Sequence, residues 1–179
     1  LTFEGNSFVQ CPLTTDYNAA KMFLNIIQAR MMSRPGTAIG DAIDKARDSF
    51  VKKQLKHKVL ILLTDGEDHG SNPVQAAKRA KKQGVIIYTI GIGSGKGEPI
   101  PIIDENGKVD GYKKDKHGEV VMSKIDEALL QRIAFITGGR YYRATPIEFE
   151  LDSIYGAISK MERKELSSRL FTQYEDRYQ

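Results

Sequence analysis

Apolar positions along this chain fall into two rhythms, and the switch from one to the other marks out its elements. Val59 to Leu63 is an unbroken β-rich apolar run bounded by polar residues. It is short for a helix and reads as a strand buried on both faces, in the middle of a parallel sheet. A second apolar run at 85–92 ends in the glycine-rich Gly91-Ile92-Gly93-Ser94-Gly95. Between them the pattern predicts a helix near 73–83, with Pro73 suited to the first turn and Gly84 to the stop. Strand, helix, strand with short joints makes a right-handed parallel crossover.

Helical spacing appears on both sides of this unit. Ala20, Phe23, Leu24, Ile27 and Met31 share one face of a helix predicted over 17–31 and capped by Asp16. Arg34-Pro35-Gly36 breaks it, and Ile39, Ala42, Ile43, Ala46 and Phe50 then point inward from a helix over 38–51. Downstream, a helix at 126–137 turns Leu129, Leu130, Ile133 and Ile136 inward and stops at Gly138-Gly139. A short strand at 140–144 follows, then an amphipathic helix at 148–164 through Leu151, Ile154, Tyr155, Ile158 and Met161. The Met and Tyr stripe of that last helix reads as packing. The chain opens on a hairpin, 1–3 and 7–13 around the turn Glu4-Gly5-Asn6, with Pro12 marking an edge strand.

Residues 98–122 interrupt the alternation. Two turn signals recur there, Asp104-Glu105-Asn106-Gly107-Lys108 and Asp115-Lys116-His117-Gly118-Glu119, each flanked by β-formers. They predict a small three-stranded meander inserted between the sheet and the next helix. Asp104, Asn106 and Asp110 are oxygen donors, but their spacing does not fit a calcium loop. The sequence therefore predicts an α/β fold: a doubly wound, mostly parallel, Rossmann-like sheet with helices on both faces. One domain is expected over 1–164, with a charged tail at 165–179.

Composition narrows the function. A chain of 179 residues with formal charge +4 fits one domain. Its lysines are dispersed among acids, as in KKDKHGE and KMERKE, so no basic stripe of the kind that binds nucleic acid is present. A single cysteine, Cys11, excludes an internal disulfide and a cysteine zinc cage, and it is expected as a small core residue. No signal peptide and no run of about 20 apolar residues occurs. The chain opens in mid-pattern at Leu1-Thr2-Phe3, and we expect it to be a piece of something longer.

The candidate chemistry gathers where the first apolar run ends. Thr64-Asp65-Gly66-Glu67-Asp68 places carboxylates just past the carboxyl end of a strand, where open α/β sheets bind ligands. Three acids in four residues suit a hard cation, water or a basic partner; a solvated loop is the plainer alternative. Gly36-Thr37-Ala38-Ile39-Gly40-Asp41 sets a hydroxyl at a helix entrance, where Thr37 taken alone is expected to cap the helix.

Set together, GTAIGDAI and LLTDGED resemble the von Willebrand factor A family. The resemblance spans nearly the whole chain and includes FEGNSFVQCPLTTDY, YTIGIGSG and the 98–122 insertion. GGRYYRA followed by LFTQYEDRYQ is similar to the Bat-type aerotolerance proteins of bacteria, the BatB branch more than BatA. The resemblance implies a metal-ion-dependent adhesion site, usually holding Mg²⁺ with Mn²⁺ or Ca²⁺ as substitutes. Thr37 matches the family's threonine ligand and Asp65 its aspartate. The family's Asp-x-Ser-x-Ser loop has no counterpart here and would lie before Leu1, so weak or absent metal binding is expected of these residues. Gly5, Gly36, Gly66, Glu67, Asp68, His69 and Gly93 are expected to complete a partner-binding rim.

The implied function is a metal-dependent protein-interaction module of a bacterial inner-membrane complex, on the periplasmic side with the cytoplasmic face as the alternative, tethered by helices outside these residues. Its partner would be another Bat-type or membrane-complex protein that offers a carboxylate to the metal. The first strand of the family sheet would also be missing, leaving a slot that invites a strand from a second copy and hence a swapped homo-oligomer. Two other classes stand beside this reading. One is a scaffold without metal. The other is a hydrolase built on Asp65, Glu67, Asp68 and His69, for which no nucleophile-base-orienter set appears. GIGSGKG fits neither nucleotide-loop register, and His57, His69 and His117 are expected at the surface.

Overall fold

A computed structural model describes residues 1–27, 36–50, 58–104, 108–144, 155, 156 and 159. The helix expected at 148–164, the tail at 165–179, Met31 and His57 lie outside this set, apart from residues 155, 156 and 159. The chain divides into two compact units, Leu1–Tyr142 and Arg143–Gln179, and the first carries nearly all described residues.

The opening hairpin pairs β1 (Thr2–Phe3) with β2 (Ser7–Phe8), antiparallel, around the expected turn. The second strand is much shorter than the predicted 7–13. Cys11 beyond it is free and only half-buried, not the core residue its apolar neighbours suggested. α1 (Tyr17–Asn25) begins where Asp16 accepts the N–H groups of Asn18 and Ala19, each at 3.0 Å. Its apolar face is present, yet none of its residues is buried. Spacing correctly gave a face there but not a partner for it.

α2 (Ile39–Ser49) buries Ile39, Ala42, Ile43 and Ala46 as the pattern predicts. β3 (Lys58–Thr64) follows, then α3 (Pro73–Lys82), whose small Ala76, Ala77 and Ala80 let it lie close to its neighbours. β4 (Val85–Gly91) runs parallel to β3 in register from Lys58↔Val85 to Thr64↔Gly91. α4 (Glu127–Thr137) starts at Asp126, whose carboxylate accepts the Leu129 N–H at 2.9 Å, and stops at Gly138, φ 83°. β9 (Tyr141–Arg143) completes a three-stranded sheet of order β3-β4-β9. This is the α/β architecture the sequence predicted.

One core holds these elements together. Ile39 and Ile43 of α2, the three α3 alanines, Ile133 of α4, and Leu62, Val85 and Ile87 of the sheet form a single buried cluster. Each large aliphatic side chain fully withdrawn from water contributes about 1.5–3 kcal/mol. Two buried threonines tie β4 to α4: Thr137 Oγ1 accepts the Ile87 N–H at 2.9 Å, and Thr89 Oγ1 donates to the Leu130 carbonyl at 3.0 Å. Tyr88 packs near Tyr142, ring centroids 6.5 Å apart. Burial pushes the Tyr88 phenol up, Tyr142 adds to this and Arg140 opposes it.

β3 departs from expectation. It lies at an edge of the described sheet, and only the face carrying Leu62 and Thr64 is buried. Ile61 and Leu63, on the other face, are 37% and 49% exposed. An apolar run predicts a strand but does not say that both of its faces find cover.

The insertion is close to the predicted meander. β5 (Glu98–Pro99) pairs with β8 (Met122–Ser123), and β6 (Pro101–Ile103) with β7 (Val109–Tyr112), all antiparallel. Backbone bonds join them in a ring. Ile100 N–H donates to Val121, Val121 to Lys113, and Lys113 back to Ile100, at 3.2, 2.8 and 2.8 Å. The predicted Asp115–Glu119 turn forms, with Asp115 Oδ1 accepting from His117 and Glu119 N–H at 2.8 and 3.0 Å. Of the other predicted turn, residues 105–107 lie outside the described set, and Asp104 Oδ1 accepts from Lys108 N–H at 2.8 Å. Asp104 and Asp115 thus accept backbone N–H groups, and no cluster of three or more metal-ligating side chains of the His, Cys, Asp and Glu types exists among the described residues.

Candidate functional site

The loop after β3 and the entrance of α2 lie against each other, and the contact is built by hydrogen bonds between residues some thirty positions apart. A helix begins with amides that lack intrahelical partners. Thr37 was expected to cap α2. Instead Ala38 is the cap residue, and no side chain of its own segment bonds the first turn. The acceptors come from elsewhere. Asp68 Oδ1 accepts the Ile39 N–H at 3.0 Å, and Ser71 Oγ accepts the Gly40 N–H at 2.7 Å. Ala38 N–H donates to the Glu4 carbonyl at 2.8 Å, and Thr37 N–H to His69 Nδ1 at 3.2 Å. All four amides of residues 37–40 are therefore satisfied, three by the loop after β3 and one by the turn of the opening hairpin.

Asp68 and Ser71 also hold each other. The Ser71 hydroxyl donates to Asp68 Oδ1, and the Ser71 N–H to Asp68 Oδ2 at 3.0 Å. His69 is fixed at two points, since its own N–H donates to the Thr37 carbonyl at 2.8 Å. Because a backbone N–H can only donate, His69 Nδ1 is the acceptor in that bond. The approach is close enough to require a glycine: a Cβ on Gly40 would lie 2.0 Å from the Ser71 carbonyl oxygen.

Asp65 sits at the strand end, half-buried. Its Oδ1 accepts the Glu67 N–H at 3.2 Å, and its carbonyl accepts the Asp126 N–H at 2.9 Å. Gly66 has φ 86°, and a Cβ there would stand 2.8 Å from the Asp126 carbonyl oxygen. Neither Asp65 Oδ2 nor the Thr37 hydroxyl bonds any other described residue. Both are oxygen donors of the kind a hard cation takes, but two fall short of the octahedral shell that Mg²⁺ prefers.

The rim residues form two neighbourhoods. A Cβ placed on Gly36 would lie 3.9 Å from Gly5 Cα and 4.0 Å from the His69 ring, so Gly5, Gly36, Thr37 and His69 are adjacent. One placed on Gly93 would lie 4.0 Å from Asp65 Cβ, which sets Gly93 beside Asp65 and Gly66. Glu67 joins the second group through its backbone, while Asp68 faces α2 as its cap. His69 and His117 are exposed, as expected. Sequence reasoning missed Ser71. Asp68-x-x-Ser71 is a recognisable turn spacing, but nothing local says that it serves a helix thirty residues upstream.

Comparison with known proteins adds a second line. A profile of the von Willebrand factor type A domain matches residues 1–157. The crystal structure of a conserved hypothetical protein, BatB from Bacteroides thetaiotaomicron, is 38% identical with a TM-score of 0.81, covering 90% of this chain and 77% of that one. An aerotolerance-related membrane protein from Bacteroides fragilis NCTC 9343 is 35% identical with a TM-score of 0.76, covering 90% and 76%. A UPF0353 protein from Nocardia farcinica is 24% identical over 173 residues, which are 89% of this chain and 49% of that protein. The chain thus spans about half the length of this curated relative.

Proposed function

The chain belongs to the von Willebrand factor type A family, and from that premise we propose that it is a metal-dependent protein-interaction module of a membrane-associated Bat-type complex. What carries the reading is the contact between the Asp65 loop and the α2 entrance. It supports the reading because it joins the segment that carries Thr37 to the loop that follows Asp65, and the Thr37 hydroxyl bonds no other described residue. In this reading Thr37 and Asp65 would hold Mg²⁺, with Mn²⁺ or Ca²⁺ as substitutes. The bound cation would supply an open coordination position for a partner's carboxylate. Around it, Asp68 and Ser71 pin the start of α2, and His69 pins the backbone of Thr37. The partner would be another protein of the complex, and the domain would sit at the periplasmic face of a bacterial inner membrane. Among the described residues no helix is long and apolar enough to cross a membrane.

With two oxygen ligands, this chain is expected to bind Mg²⁺ with a dissociation constant above about 1 mM in calorimetry. Tighter binding that disappears in Asp65→Ala would overturn that expectation. Function is tested by pull-down from bacterial membranes, using the full polypeptide that contains this domain. Capture lost in EDTA, in Thr37→Ala and in Asp65→Ala supports metal-led binding. Capture indifferent to all three favours a metal-free scaffold.

A further inference from the structure

A cavity of about 380 Å³ opens beside Thr37, lined by Asn6, Thr37, Asp41, His69 and Ser71 with glycine and alanine backbone between them. Its size falls in the range of roughly 300–1,000 Å³ found for ligand pockets. A helix entrance ordinarily attracts an anion through its free amides. Here that attraction is spent within the molecule, because the N–H groups of Thr37, Ala38, Ile39 and Gly40 already serve His69, Glu4, Asp68 and Ser71. What remains facing the cavity has the opposite preference. The Asp41 carboxylate forms no hydrogen bond or ion pair with any described residue. Among the described residues no Lys or Arg lines the space, and its other lining residues include the neutral Asn6 and Thr37. A charged acceptor among neutral residues suits a charge-assisted donor.

We propose that this cavity receives a basic side chain, guanidinium or ammonium, from the protein partner. The inference rests on the interaction role proposed above and narrows it. The partner offers a carboxylate at the Thr37–Asp65 rim and, within a side chain's reach of it, an arginine or lysine that pairs with Asp41.

The test is a titration of the whole chain in EDTA, followed by ¹⁵N–¹H NMR. The probes are N-acetyl-argininamide and N-acetyl-citrullinamide, which share a shape but differ in charge. Saturable shifts are expected at the amides of Asn6, Asp41 and Gly70 with the arginine probe. Binding is expected to be at least tenfold weaker with citrulline, and at least tenfold weaker for arginine in Asp41→Asn. An equal response to citrulline, an undiminished response in Asp41→Asn, no response, or shifts confined to another surface each overturn the proposal. The citrulline comparison needs no variant, so it holds even if Asp41→Asn misfolds. Since EDTA removes metal, a missing arginine response sinks the cavity and leaves the metal reading to the Mg²⁺ titration. Failure of that titration, in turn, does not alter the arginine result.

Discussion

The sheet-and-helix body and the 98–123 insertion are held together by different forces. In the body, β4 buries six of its seven residues, and Ile39, Ile43, Ile87 and Ile133 are sealed from water. In the insertion no described residue from 98 to 124 is buried. Its strands are fixed by backbone bonds, by the Asp115 turn, by the bond from Lys108 N–H to Asp104 and by the ring through Ile100, Lys113 and Val121. The body rests on the hydrophobic effect and the insertion on local geometry. The contrast teaches that stability and shape can be specified separately within one chain.

The sharpest way to break this contrast is to remove an isoleucine from each side. Ile133→Ala should destabilise the protein by about 2–5 kcal/mol in urea unfolding, whereas Ile102→Ala should stay within about 0.5 kcal/mol. Comparable losses would mean that the insertion has a core after all. Next in size is the contact that joins the Asp65 loop to α2. Asp68→Ala should cost about 1–2 kcal/mol by the same measurement, because it strands the Ile39 amide and loosens Ser71.

Within the insertion the expected effects are local. Asp115→Ala should raise amide exchange at His117 and Glu119 at least tenfold, while global stability moves by less than about 0.5 kcal/mol. A cooperative loss of the whole domain would contradict it. Alkali separates the two regions most gently. Burial raises the Tyr88 phenol above its ordinary value near 10, so the native state holds that proton more tightly than the unfolded chain. Its contribution is therefore complete below about pH 10 and is lost as pH rises through the folded value. The fall in thermal midpoint above pH 10 should be shallower in Tyr88→Phe; an unchanged slope would refute this.

What could be read from the sequence was what short-range chemistry dictates. Asp16 caps a helix within its own segment, Gly138 stops one by its left-handed backbone, and the Asp115–Glu119 turn closes on itself. The inward face of α2 was equally legible, because its period matches a helix and its partner exists. The same reasoning failed at α1 and at Ile61 and Leu63. There it identified an apolar face, and no described element covers it. Thr37 and Asp65 were singled out through the family resemblance. The donors and acceptors that actually join their loops were not legible, since Asp68, His69 and Ser71 act on residues 29 to 32 positions away. Local spacing carries no information about that encounter.

Glu98 and Ser123 stand opposite each other as a bonded pair at the base of the insertion. Whatever lies between them leaves and re-enters the body at one doorway. Such a segment behaves as a cassette: its tips can lengthen, shorten or change charge without disturbing the packing below, provided the doorway stays shut. A surface that must keep pace with a changing partner would be placed to advantage on such a cassette, and a graft exchanged at these two residues should leave the body's unfolding transition where it was.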